Sequence, residues 1–153
     1  KELSKVCRDL QLRVCFAGRG LKKDKYFEKI ELPVLESFEY DIKFYHREGF
    51  SSYKLCDNSI ITIGDFTTSI YESFARGNKL IIANPSKMPL YDSFIDGVWV
   101  LKKFNYSSIK NKIIQILDMP QNEWNNISEY ARNQIIFNGK NLNPLNDFAK
   151  ILK

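Results

Sequence analysis

The sequence predicts an α/β fold in which a Rossmann-like parallel sheet carries helices on both faces. Short runs of apolar, β-branched residues alternate along the chain with stretches whose apolar residues recur at helical spacing. This alternation is typical of strands that are joined by helices and therefore run parallel. Most of the apolar runs are continuous, as expected for strands covered on both faces of a sheet.

The composition fits one ordinary domain. The chain has 153 residues, of which 44% are hydrophobic and 27% charged, so a disordered chain is excluded. No apolar run approaches the roughly 18 residues that span a bilayer, and no signal-peptide pattern opens the sequence. The three cysteines fit no zinc-binding spacing, and a reducing compartment is their simplest setting. A cytoplasmic location is therefore expected.

The charge favours a small anionic ligand over a nucleic acid. Lys and Arg total 23 against 18 Asp and Glu, which gives a net charge of +5. This excess suits a phosphate group, a nucleotide or a membrane surface. The basic residues are scattered, however, and form no dense tract of the kind that binds nucleic acids. We therefore expect no nucleic-acid partner.

The first half of the chain begins with an amphipathic segment, in which Leu3, Val6, Cys7 and Leu10 share one helical face. Further along, Pro33 is expected to disturb a helix. The predicted elements are a helix at 2–10, a strand at 12–17, an interrupted helix at 24–38, a strand at 40–45 and a short helix at 51–56.

The second half opens with an apolar run that predicts a buried strand at 59–63. Thr67 or Thr68 is expected to cap the next helix, because hydroxyl oxygens accept hydrogen bonds from the free N–H groups of a first turn. The other predicted elements are a helix from there to about residue 76, strands at 79–83 and 98–101, and helices at 109–117, 122–137 and 144–152.

Chemistry is expected where the strands end, because parallel sheets bind ligands beyond the carboxyl ends of their strands. The strongest signal follows the predicted strand at 59–63, where Thr67, Thr68 and Ser69 open a helix. A helix amino end has free N–H groups and a positive dipole, and with small hydroxyls it suits a phosphate or diphosphate. The alternative is that a threonine serves only as the cap.

Glu72 lies three to five positions after these hydroxyl residues. Its carboxylate can accept hydrogen bonds from a sugar diol. It can instead form a capping box with Thr68 or Ser69. Both interpretations stay open.

The run DNSIITIGDFTTSIYESFARGNKLIIANP resembles the nucleotide-sugar-binding segment of GT-B glycosyltransferases. Those enzymes show an apolar strand, a Ser/Thr-rich turn, a glutamate on the next helix and a small-x-Gly motif, here Ala75-Arg76-Gly77, before another strand. The upstream piece YDIKFYHREGFSSYKLCDNS extends the resemblance to bacterial GlcNAc transferases and surface-polysaccharide transferases of that fold. The similar part covers roughly residues 12–117.

The resemblance implies contacts to each part of a UDP- or CMP-linked sugar donor. The Ser/Thr turn would hold the phosphates, a carboxylate would bind the ribose, and the loops after other strands would reach the base and the sugar. The residues with these implied roles are Thr67, Thr68 and Ser69 for the phosphates, Glu72 for the ribose, His46 and Arg47 for the base, Gly18 and Arg19 for a further phosphate contact, and Asn84 and Asp92 for the sugar.

His46 is the only histidine of the chain. Related enzymes that use CMP-sugars often carry a His-Pro pair that contacts the nucleotide phosphate, whereas here the pair is His46-Arg47. A ligand contact and an exposed loop histidine without a role both stay open.

The resemblance also implies parts that this sequence does not contain. A carboxyl-half GT-B domain normally begins with a strand and a Gly-rich turn before its first helix, whereas this chain starts in the helix. The amino-terminal half would be a separate domain or partner subunit that binds the acceptor, and it could hold the protein at the inner face of the membrane. No Asp-x-Asp motif is present, so neither a metal nor a cofactor is expected. The catalytic base is unassigned, and Asp65 is the nearest candidate.

These observations favour the donor-binding half of a glycosyltransferase that transfers a sugar to a cell-surface glycan or lipid. We expect this chain alone to bind the donor without turnover. One alternative is a nucleotide- or partner-binding module without catalysis, since fold does not imply function. The other is half of a sugar-nucleotide epimerase, which the single histidine disfavours.

Overall fold

The structure is a computed structural model that describes residues 1–21, 24–46, 51–65, 67–89, 93 and 96–135. The helices are α1 (Glu2–Asp9), α2 (Leu32–Glu36), α3 (Ser51–Asp57), α4 (Thr68–Ala75), α5 (Tyr106–Asp118) and α6 (Gln121–Ile135). The strands are β1 (Val14–Ala17), β2 (Ile42–Tyr45), β3 (Thr62–Gly64), β4 (Leu80–Ala83) and β5 (Val100–Leu101). The predicted helix at 144–152 lies outside the described residues.

The strands confirm the α/β class, because every described strand pair is parallel. They form two small sheets, however, where one sheet is predicted. β1 pairs with β2 in a two-stranded sheet, and β3, β4 and β5 lie side by side in a three-stranded sheet. Among the described residues, no strand pairs with the second edge of β1 or of β3.

Helices flank these strands in two groups. α4 contacts β3, β4, α3 and α6, whereas α5 contacts β4, β5 and α1. The fold is thus consistent with a Rossmann-like half-domain, as predicted. No helix in the described part of the chain is both long enough and apolar enough to cross a bilayer.

The prediction of a buried strand at 59–63 is wrong about the burial. β3 forms, but Ile60 before it is 76% exposed and Ile63 within it is 36% exposed. β4, by contrast, is buried over its whole length. The difference follows from position, because β4 has neighbours on both sides whereas β3 is an edge strand.

The disturbance predicted around Pro33 is present one turn earlier than the proline. A π-helical segment spans Phe27–Glu31 and continues directly into α2, with Pro33 in its first turn. The N–H of Leu32 accordingly bonds to the carbonyl of Phe27. A proline ring clashes with the carbonyl four residues before it, and the wider π turn accommodates that carbonyl.

The core surrounds three aromatic rings. The ring centroid of Phe74 lies 4.7 Å from that of Trp99 and 5.9 Å from that of Trp124. Val6 of α1 is fully buried in the same cluster, together with β4. Large apolar side chains stabilise by roughly 1.5–3 kcal/mol each when buried. This packing anchors α4, which carries Phe74 and begins at the predicted site.

Candidate functional site at the carboxyl ends of the strands

The best-defined candidate site lies where β3 ends and α4 begins. Thr67 has an extended backbone and caps α4, with its Oγ1 accepting a long hydrogen bond of 3.4 Å from the N–H of Ile70. The hydroxyl oxygens of Thr67 and Ser69 are 3.3 Å apart, and Thr68 is exposed beside them. The predicted cap is therefore confirmed at Thr67. The first N–H groups of α4 have no partner within the helix, so this end can receive an anion.

Gly64 explains how the strand and the helix come so close. A Cβ at this position would lie 2.6 Å from Cγ1 and Cδ1 of Ile70, which packs from the first turn of α4. A side chain at this position would require the Ile70 side chain to shift, because real Cβ atoms do not approach other atoms this closely. The lack of a side chain at Gly64 therefore leaves the space that Ile70 occupies between the end of β3 and α4.

Glu72 does not form a capping box with Thr68 or Ser69. Because the cap is Thr67, Glu72 lies one turn inside the helix, beyond the position from which a side chain reaches back to the cap. Its carboxylate accepts a hydrogen bond from the hydroxyl of Tyr53 on α3, which raises the pKa of that tyrosine. The phenol therefore remains a donor that orients the half-buried carboxylate.

The small-x-Gly motif ends α4, and the backbone conformation of its glycine explains why that residue is needed there. Gly77 has a φ of +92°, its N–H bonds to the carbonyl of Phe74, and the N–H of Asn78 bonds to the carbonyl of Ser73. This is the Schellman pattern, in which glycine accepts the left-handed backbone that ends a helix.

Asp57, the last residue of α3, also stabilises this end of α4. Its carboxylate accepts from Nε and Nη2 of Arg76, at 3.0 and 2.8 Å, and from Asn78 at 2.7 Å. The Arg76 guanidinium holds the pKa of Asp57 below its usual value. Asp57 therefore ties α3 to the end of α4, away from the Thr67 turn.

The turn after β1, formed by Gly18, Arg19 and Gly20, already binds a carboxylate from the protein's own chain. The carboxylate of Glu31, only 5% exposed, accepts hydrogen bonds from the N–H groups of Arg19 and Gly20. These two backbone donors are therefore engaged. The Arg19 side chain is exposed, with its guanidinium 5.8 Å from the ring centroid of Tyr26. Only this side chain, and not the turn itself, has the character predicted for a phosphate contact.

His46 lies in an aromatic cluster at the end of β2. Its ring centroid is 4.5 Å from that of Phe44 and 4.8 Å from that of Phe27, in edge-on geometry. The interpretation as an exposed loop histidine is therefore wrong, because the ring is half-buried against these aromatic neighbours. Gly18 packs on the same cluster, since a Cβ there would lie 2.3 Å from the Phe44 ring.

Asn84 follows β4 and shapes its own loop. Its Nδ2 donates to the carbonyl of Met88 at 2.8 Å, and its Oδ1 accepts from the hydroxyl of Ser86 at 2.7 Å. Lys87 in the same loop has a φ of +56°. Two other predicted site residues, Arg47 and Asp92, lie outside the described residues.

The structure gathers the predicted residues into groups rather than one continuous site. Thr67, Thr68 and Ser69 cluster at the end of β3, with Glu72 one turn behind them. Gly18 and His46 meet at the ends of β1 and β2, where the Gly18 N–H donates to the carbonyl of Tyr45 at 2.8 Å. Sequence reasoning missed Glu31 and Tyr53, whose roles depend on contacts between separate elements.

Asp65, the nearest candidate for the catalytic base, lies just before the capping residue Thr67. Asp65 is exposed in the turn, where its carbonyl accepts from the N–H of Thr67 at 2.8 Å. Among the described residues, no group of three or more His, Cys, Asp or Glu side chains could hold a metal ion. The donors at the Thr67 turn are hydroxyls and backbone N–H groups, which suit an anion.

The fold and this site together define an α/β protein of parallel strands with a helix amino end directed to the rim of a sheet. Comparisons of the chain with protein-family models, curated proteins and solved structures find no match.

Proposed function

We propose that this chain is the donor-binding half of a glycosyltransferase that uses a nucleotide-activated sugar. The observation that carries the proposal is the Thr67 turn, in which three hydroxyl residues surround the amino end of α4 directly beyond the carboxyl end of β3. Ligands of parallel α/β sheets bind at this end of the strands. The acceptor would be a cell-surface glycan or lipid, bound by an amino-terminal domain or a partner subunit.

The turn would bind the donor through its phosphates. The free N–H groups of Thr68 and Ser69 point along the helix axis, and the helix dipole favours negative charge at this end. Their hydroxyls add hydrogen-bond donors of small size. During transfer the diphosphate gains negative charge as it leaves, and donors fixed in advance stabilise that charge.

Glu72 would bind the ribose. An ionised carboxylate accepts up to several hydrogen bonds, so the one from Tyr53 leaves capacity for a vicinal diol. The exposed guanidinium of Arg19 would add positive charge from the neighbouring sheet, where His46 would face the base. Arg47 would also contact the base, and Asn84 and Asp92 would contact the sugar.

A nucleotide- or partner-binding module without catalysis is the second candidate, since fold does not imply function. The buried carboxylate of Glu31 already accepts from the N–H of Gly20 in the turn after β1. A bound nucleotide would therefore find fewer backbone N–H groups at the end of β1. Such a module would bind a nucleotide at the Thr67 turn and would not transfer a sugar even beside its partner half.

Calorimetric titration of the chain with UDP, CMP and GDP tests the proposal. We expect at least one nucleotide to bind, and the Thr68→Ala, Ser69→Ala and Glu72→Ala variants to bind it more weakly. Ser107→Ala is the matched control, because Ser107 is an exposed hydroxyl residue in the first turn of α5, capped by Asn105. Absence of binding by all three nucleotides at millimolar concentration, with the fold intact, would refute the proposal.

A further inference from the structure

A polar cavity lies at the end of the three-stranded sheet opposite to the Thr67 turn. Its volume is about 460 Å³, and its walls come from the segments just before β3 and β4, from the ends of α3 and α4, and from α6. Among the described residues that line it, only Ile60 and Gly77 have no polar side chain. Such walls suit a hydrophilic ligand, because they offer hydrogen bonds and little apolar surface.

The charged groups in this cavity are mostly positive. Arg76, Lys79 and Arg132 line it, together with the carboxylate of Asp57. That carboxylate is already engaged, since Nε and Nη2 of Arg76 both donate to it. Lys79 donates to two backbone carbonyls at the end of α5, which carry no net charge. Two positive charges, those of Lys79 and Arg132, therefore have no carboxylate of their own in the described lining.

Arg132 is the half-buried cation of this group. Its Nη2 donates to the backbone carbonyl of Asn125 at 3.2 Å, and its Nε is buried without an acceptor among the described residues. No carboxylate in the described part of the chain forms an ion pair with it. A partly buried charge without a counter-ion is unfavourable, because it has lost part of its hydration. An anion in the cavity would supply the missing negative charge.

Gly77 and Asn125 hold the Arg132 guanidinium at the wall of the cavity. A Cβ on Gly77 would lie 3.0 Å from Nη1 of Arg132, so the guanidinium packs where a side chain would otherwise stand. Nε2 of Gln121 donates to the carbonyl of Gly77 and to Oδ1 of Asn125, both at 3.0 Å. These bonds join the end of α4 to the first turns of α6. The guanidinium is thus positioned in advance, which lowers the entropy cost of binding a ligand.

We propose that this cavity binds a phosphate group, either free or at the end of a larger molecule, with Arg132 as its principal partner. The planar guanidinium matches the spacing of phosphate oxygens. A phosphate group carries nearly two negative charges at neutral pH, which balances Lys79 and Arg132. A single carboxylate would leave one of these cations unbalanced. The cavity lies before β3 and β4, so the inference does not depend on the function proposed for the Thr67 turn.

An NMR titration of the isotope-labelled chain with inorganic phosphate tests this inference. The ionic strength is kept constant, so that screening of surface charges does not change. We expect saturable shifts at the amides of Gly77 and Asn78 and at the side-chain N–H groups of Arg132. Shifts at Thr68 and Ser69 report the Thr67 turn, so the two sites are read separately in one experiment.

Substitution of Arg132 is the sharpest variant. We expect Arg132→Gln to weaken phosphate binding, as read at Gly77 and Asn78, at least about tenfold, because a charged hydrogen-bond partner is lost. Arg8→Gln is the matched control, since Arg8 is an exposed arginine on α1, and it should leave the affinity unchanged. Circular dichroism checks the fold of each variant. Should Arg132→Gln not fold, Arg132→Lys keeps the charge without the planar fork and should still weaken binding several-fold.

Methyl phosphate and acetate complete the experiment. Methyl phosphate that binds at least as tightly as inorganic phosphate would identify the end of a larger molecule as the ligand, and weaker binding would identify the free ion. Acetate should bind at least about tenfold more weakly than either. No saturable shift at Gly77 and Asn78 with either phosphate would overturn the proposal. So would equal phosphate affinity in Arg8→Gln and Arg132→Gln, or acetate binding as tight as that of phosphate.

Discussion

The carboxylate of Glu31 accepts two hydrogen bonds from the N–H of Gly20, at 3.2 and 3.3 Å. The same carboxylate accepts from the N–H of Arg19, and Glu31 is only 5% exposed. Glu31, the last residue of the π-helical segment, therefore holds the turn that follows β1 through these hydrogen bonds. Removal of the Glu31 carboxylate would leave these N–H groups without an acceptor. A buried donor without a partner lowers the stability of the folded state, because it has lost its hydrogen bond to water.

We predict that Glu31→Ala lowers the free energy of unfolding by roughly 1.5–3 kcal/mol, as expected when buried donors lose a charged partner. Urea denaturation followed by circular dichroism measures this loss. Glu28→Ala is the control, because Glu28 lies in the same segment but is exposed. Equal denaturation midpoints for the two variants would show that the Glu31 contacts do not stabilise the turn.

The ion pair of Asp57 and Arg76 predicts that the free energy of unfolding depends on pH in the acid range. Arg76 lowers the pKa of Asp57 in the folded protein, so the pair stabilises above the unfolded pKa of about 3.9 and the stabilisation is lost as the pH falls through the folded pKa. The stability difference between the wild type and Asp57→Asn should therefore shrink below about pH 4.

Urea titrations at a series of pH values measure this difference. Asp41→Asn is the control, since Asp41 is an exposed aspartate just before β2. Because Asp57 is partly exposed, we expect a small effect at neutral pH, within the range of surface ion pairs. A difference that persists unchanged to the lowest pH would contradict the role of the ionised carboxylate.

The three cysteines should differ in reactivity. Burial raises the pKa of the Cys7 thiol to about 11, which leaves on the order of one molecule in ten thousand as thiolate at neutral pH. Cys56 is also buried, whereas Cys15 is exposed on β1. We predict that iodoacetamide modifies Cys15 first in the folded protein, as read by peptide mass spectrometry. In urea the three should react at similar rates, and preferential modification of folded Cys7 would refute the packing of α1.

The close approach of Gly64 to Ile70 predicts non-additive effects. Gly64→Ala should destabilise by about 1–3 kcal/mol through overpacking, and Ile70→Ala by about 2–5 kcal/mol through the cavity it leaves. The double variant should lose clearly less than the sum, because the added methyl group occupies the space that Ile70 vacates. Thermal unfolding of the four proteins measures this cycle, and strict additivity would mean that the two positions do not touch.

Local patterns were sufficient for most of the fold. α1 and α5 carry a clear helical spacing of apolar residues, β4 is an uninterrupted apolar run, and the Thr67 cap follows from hydroxyl chemistry. The exposure of β3 was not predictable in the same way. An apolar run looks the same at the edge of a sheet and in its middle, so the sequence could not reveal that the described strands form two sheets.

The site was predicted only in part, for a similar reason. The hydroxyl cluster depends on three adjacent residues, and their local sequence determines it. Glu31 binds a turn eleven residues earlier, and Tyr53 reaches Glu72 from another helix, so both contacts depend on tertiary packing. The capping box failed because the helix begins at Thr68, and this start places Glu72 too far along it.

The amino end of α4 is the part of the molecule that we propose binds the phosphates of a nucleotide donor. Amide chemical shifts during a titration with UDP, CMP or GDP test it most directly, because they locate a bound anion on the backbone. We predict that the largest shifts fall on Thr68, Ser69 and Ile70, with little change at the Asn105 end of α5. No shift with any of the three nucleotides at millimolar concentration, or equal shifts at the two helix ends, would contradict the claim.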